Sequence, residues 1–65
     1  MTAEMNQFWI DNGTRSVCVT HVRVGNRHDY LARKYVNSRE TATLEKWEGH
    51  TEAGARRWAS KVLSN

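Results

Sequence analysis

The chain contains no proline, one cysteine and four glycines in 65 residues. A single cysteine, Cys18, cannot close an intramolecular disulfide, so no such staple supports the fold and the expected setting is reducing and cytoplasmic. Long apolar runs are also missing. Nothing approaches the ~20 residues of a membrane-spanning helix, and the opening MTAEMNQFWI has no basic region followed by an apolar stretch. The expectation is a soluble, unsecreted protein with no membrane partner. Chemical motifs are equally scarce: there is no Cys-x-x-Cys, no paired-histidine spacing, no nucleophile elbow, no carboxylate pair and no Gly-rich phosphate loop. In a regular strand Cys18 and His21 point to opposite sides, and His28 and His50 read as surface residues. No metal, no cofactor and no catalytic activity are therefore expected.

What is present fits one small domain over residues 1–65, with residues 1–6 read as flexible. A domain of this size buries only about 60% of the surface its unfolded chain exposes, which leaves little room for an enzyme pocket. Asn12-Gly13 marks a tight turn after a short strand around Phe8, Trp9 and Ile10. Arg15 to Val24 is rich in β-branched residues. Its valines change parity, Val17 and Val19 against Val22 and Val24, so either both faces are partly covered or a bulge near Thr20 and His21 reunites them. Gly25-Asn26 supplies the next two-residue turn, with positive φ at its first position. His28 to Val36 returns, Asn37 to Glu40 has turn composition, and Thr41 to Trp47 forms a further strand.

The chain then changes period. Thr51 is a good N-cap, Glu52 and Lys61 complement the two ends of the helix dipole, and Ala55, Trp58, Ala59 and Val62 fall on one stripe. Gly54 lies at the edge of that stripe and allows close approach. The fold class is thus α+β, an antiparallel meander of three or four strands packed on one C-terminal helix. One sheet face has no helix to cover it, and function is expected there.

Charge sharpens that expectation. The formal net charge is +3, but residues 15–39 alone carry Arg15, Arg23, Arg27, Arg33, Lys34 and Arg39 against Asp29. A basic block of this kind is an electrostatic footprint for phosphate or an acidic partner. Trp9 and Tyr35 add rings that can stack on bases. The candidate binding residues are Trp9, Arg23, Arg27, Arg33, Lys34, Tyr35 and Arg39. Glu45 and Glu48 on the last strand oppose phosphate binding there.

Leu44, Trp47, Thr51, Glu52, Ala53, Ala55, Trp58 and Ala59, across roughly positions 42–62, carry a resemblance. This part of the chain resembles the three-stranded-sheet-plus-helix DNA-binding domains of plant ethylene-response factors, and is similar to the arm-site-binding N-terminal domains of tyrosine recombinases. The resemblance implies that the outward sheet face enters the DNA major groove, with Arg23, Arg33, Lys34, Lys46 and the turn residue Arg27 as contacts. The families' strand motifs of Arg, Gly and Trp are absent here. By size and the lack of a catalytic set, the chain is also similar to small phage-encoded inhibitors of bacterial defence, anti-CRISPR proteins among them. That likeness implies a protein or nucleoprotein target, bound through hot-spot residues such as Trp9, Tyr30, Tyr35 and Arg33. Nucleic acid and protein both stand as partners, and the chain is expected as a monomer or, through an exposed edge strand, a homodimer.

Overall fold

The computed structural model describes residues 2–64. Four antiparallel strands run in sequence order, β1 Ala3–Asn12, β2 Arg15–Val24, β3 Arg27–Val36 and β4 Thr41–Gly49, followed by one helix, α1 Glu52–Leu63. Among the described residues the strand count is therefore four. β1 starts at Ala3 rather than near Phe8, so residues 3–6, read from the sequence as a flexible start, pair with β2 from Val24 to His21. Their side chains are exposed on both faces, which is why no apolar alternation marks them.

Two hairpins rest on glycine at the first central position of a two-residue turn. Gly13 has φ 67° and Gly25 has φ 61°, and neither Thr14 nor Asn26 shares the positive φ, the pattern of a type II′ turn. The first turn is thus Gly13-Thr14, one residue later than the Asn-Gly pair predicts. The third connection is different. Asn37, Ser38 and Arg39 have φ of 55°, 57° and 75°, three successive left-handed residues with no glycine among them. Such a conformation costs an L-residue about 1–2 kcal/mol. The backbone N–H of Ser38 donates to the Thr14 carbonyl at 3.0 Å, tying this turn to the first hairpin.

Val17 and Val19 of β2, Ala32 of β3, and Ala55, Ala59 and Leu63 of α1 form the buried core. Phe8, Ile10, Tyr30, Trp47, Trp58 and Val62 pack around it, half-buried. Thr51 caps α1 as predicted, its Oγ1 accepting from the Gly54 N–H at 3.1 Å. The small residues matter at one place above all: a Cβ on Gly49 would lie 2.3 Å from the Trp47 ring, and one on Gly54 would lie 2.8 Å from it. The indole is held between two glycines.

The valine parity switch is real and carries no bulge. Pairing of β1, β2 and β3 is uninterrupted, so Val17 and Val19 face α1 while Val22 and Val24 face away. The irregularity lies instead between β3 and β4, where Arg33 opposes Lys46 but Tyr35 opposes Ala42, leaving Thr43, Leu44 and Glu45 against Lys34 alone. Thr43 Oγ1 donates to the Lys34 carbonyl at 3.0 Å and accepts from the Glu45 N–H at 3.2 Å. Leu44 is pushed out to 96% exposure.

Candidate nucleic-acid interface

Strand alternation decides what the uncovered face presents. Directly opposed residues share a face, so the positions facing away from α1 include Met5, Gln7, Trp9 and Asp11 of β1 and Ser16, Cys18, Thr20 and Val22 of β2. They also include Arg27, Asp29, Leu31, Arg33 and Tyr35 of β3, with Lys46 and Glu48 of β4. One lateral row crosses all four strands: Trp9, Cys18, Arg33, Lys46.

At the end nearest the first turn a cluster forms. Trp9 and Tyr35 meet edge to face, ring centroids 5.1 Å apart and planes at 67°. The Arg39 guanidinium sits 4.7 Å above the Trp9 ring, a cation–π contact. It also clasps Asp11 in the two-bond manner of guanidinium on carboxylate, with Nε 3.1 Å from Oδ1 and Nη2 on Oδ2. Ser16 Oγ donates to the same carboxylate at 2.6 Å and is almost fully buried. The Arg39 bonds, then the Ser16 bond, hold the Asp11 carboxyl below its ordinary value, and Asp11 in turn raises Arg39. The left-handed run at residues 37–39 is what lets a side chain from the β3–β4 turn reach across β2 to β1. Beneath it, burial pushes the Cys18 thiol up, against the smaller opposing effects of a Thr20 hydrogen bond and the Arg39 charge.

Arg33 stands apart from this network. It is half-buried in the middle of the open face, and among the described residues it has no ion-pair, hydrogen-bond or ring partner. The three carboxylates of the face are engaged elsewhere: Asp11 with Arg39, Asp29 with Arg27 at 3.1 Å, and Glu48 with Lys46 at 3.9 Å. Directly across the strand from Arg33 is another cation, Lys46. Like charges at opposed positions are destabilising.

The structure thus gathers Trp9, Arg33, Tyr35 and Arg39 into one region and puts Arg27 at the far end of the same face. Arg23 and Lys34 do not belong there. Both lie on the helix side, Arg23 paired with Glu4 at 3.4 Å and Lys34 with Glu45 at 3.1 Å, its side chain only 15% exposed. The basic block is therefore split by strand parity, and the open face is nearly balanced in charge, with one unneutralised guanidinium among the described residues. Asp11 and Ser16 were missed. The turn at Gly13-Thr14, one residue past the Asn-Gly signal, sets them opposite one another, and nothing in the composition of residues 37–40 announces the left-handed run that brings Arg39 to them.

The helix side holds the other polar cluster, with His21 Nε2 2.8 Å from His28 Nδ1 and the His21 ring stacked on Tyr30 at 4.3 Å. Among the described residues no three histidine, cysteine or acidic side chains converge as metal ligands, and no helix is long and apolar enough to cross a membrane. A groove of about 360 Å³ lies between β1 and the end of α1, bordered by Ile10, Asn12, Arg56 and Leu63, away from the aromatic cluster. Comparison with family models, curated proteins and solved structures returned no match for the chain.

Proposed function

We propose that this protein is a non-catalytic nucleic-acid-binding module whose contact surface is the open sheet face. The observation that carries the reading is Arg33: a half-buried guanidinium without a counter-charge, opposed by Lys46, in the centre of an uncovered sheet. A phosphate between the two cations would offset their repulsion and release counterions. Trp9 in the same row and Tyr35 in the next one offer ring surface for a base, and Arg39 adds a second guanidinium beside them. The left-handed residues that carry Arg39 fit the tendency of backbone strain to collect at functional sites. In the DNA-binding families that the second half of the chain resembles, the outward sheet face likewise makes the contacts.

The test is fluorescence anisotropy with labelled single-stranded and duplex oligonucleotides at about 50 and about 200 mM salt. With two or three phosphate contacts the affinity for duplex should fall roughly 10- to 40-fold over that range. A flat response removes the reading.

A second reading draws on different side chains. Met5 is 67% exposed, Leu31 37% and Leu44 96%. Apolar groups so placed favour a protein target, as for a phage-type inhibitor of a host protein or nucleoprotein complex, including the anti-CRISPR kind. In that case Leu44→Ala or Trp9→Ala should weaken capture of the target more than Arg33→Gln, with no dependence on nuclease treatment.

A further inference from the structure

The two edges of the sheet are built differently. β4 carries the devices that keep an edge from pairing: a bulge at residues 43–45, a Thr43 hydroxyl occupying the Glu45 N–H, and Lys46. β1 carries none of them. It pairs with β2 over ten consecutive positions without a register shift, and it contains neither proline nor lysine. Its two charges are neutralised within the chain, Glu4 by Arg23 and Asp11 by Arg39. Among the described residues, no element packs against it beyond β2 and a few residues of α1.

Hydrogen bonding makes that edge specific. A two-residue turn closes on a bonded pair, here Asn12 with Arg15. Alternation from that pair directs the N–H and C=O of even-numbered β1 residues to β2 and those of Ala3, Met5, Gln7, Trp9 and Asp11 outward. A row of free donors and acceptors of this length is a template for another strand.

We infer that the β1 edge docks a second copy of this chain, antiparallel and centred on Gln7, so that two four-stranded sheets become one of eight strands. Gln7 is the centre that side-chain chemistry selects. To keep the open faces continuous, residues of equal parity must oppose each other. Centring on Gln7 sets exposed Met5 against the second copy's Trp9, a sulfur–aromatic contact, and Glu4 against its Ile10, with no like charges opposed. Centring on Phe8 would set Met5 against Asp11 instead. The small core, six buried apolar side chains among the described residues, gives such pairing a purpose. Five strand spacings across the sheet and about four residues along it would separate the two Arg33 positions, roughly 28 Å over one uninterrupted face.

Sedimentation equilibrium from about 1 to about 300 µM tests this, with Gln7→Pro and Met5→Lys as the variants. Gln7 directs its N–H outward, so proline there removes an edge donor and the exposed side-chain bond from Gln7 Nε2 to Thr20 Oγ1, but no backbone bond to β2. The wild-type mass should approach twice 7.5 kDa, and both variants should raise the dissociation constant at least about tenfold while keeping the wild-type circular dichroism. If Gln7→Pro unfolds, Met5→Lys decides alone. In a mixed-isotope sample, an intermolecular NOE from the Met5 methyl to the Trp9 ring should appear. A wild-type monomer across the range, a dimer indifferent to the folded variants, or a dimer without that NOE overturns the inference.

Discussion

Gly49→Ala adds a single methyl group where the Trp47 indole already lies. The new Cβ would sit 2.3 Å from Cη2 and 2.5 Å from Cζ2, far inside contact distance, and Gly54 lies close against the same two ring atoms. Gly49 has no positive φ, so alanine is not strained in the backbone. Intrinsically it would favour folding by roughly 0.5–1 kcal/mol. Overpacking costs about 1–3 kcal/mol, so the net effect should be a loss of about 1–2 kcal/mol. For a domain of this size that lowers Tm by roughly 5 to 15 °C. Urea unfolding followed by tryptophan fluorescence, together with a circular-dichroism melt, measures it. In a Trp47→Phe background, which removes the ring atoms in question, the same substitution should become neutral or stabilising, and the difference is the coupling energy. Unchanged stability of Gly49→Ala in the Trp47 background would refute the wedge.

Other predictions follow from the cluster on the open face. Ser38→Gly should raise Tm, since glycine accepts the left-handed conformation that serine holds at a cost; a fall would show that the turn is not strained. Asp11 has a lowered folded value, so its contribution to stability is present above the ordinary carboxylate range and is lost as pH falls through that lowered value. The Tm gap between wild type and Asp11→Asn should therefore be open at pH 7 and close below about pH 4. Because burial raises the Cys18 thiol, iodoacetamide should modify it more slowly at pH 8 than a free cysteine, with denaturant restoring the rate.

Much of the frame is legible in the sequence because turns and caps are chemically explicit. Gly25-Asn26 announces its turn and its φ pattern, Thr51 announces the helix, and the Ala55–Ala59 spacing announces the buried stripe, which Leu63 rather than Trp58 completes. β1 is legible only where Phe8 and Ile10 touch the core; the polar residues before them are ordered by ladder hydrogen bonds, which leave no compositional trace. For the site, Trp9, Arg33, Tyr35 and Arg39 can be found from residue type. Their separation from Arg23 and Lys34 needs the register, since adjacent strand residues such as Arg33 and Lys34 point to opposite faces whatever their shared charge. The bulge at Lys34 and the turn that delivers Arg39 have no glycine or proline to mark them.

Arg33 and Arg23 offer the most direct test, because replacing either with glutamine removes one positive charge, unpaired on the open face in one case and paired with Glu4 on the helix side in the other. Nucleic-acid affinity of the two variants should be measured side by side by anisotropy over a series of salt concentrations. Arg33→Gln should lose affinity several-fold and reduce the salt slope by about one, while Arg23→Gln should stay within about twofold of wild type. Equal losses from both, or none from Arg33→Gln, would contradict binding through the open face.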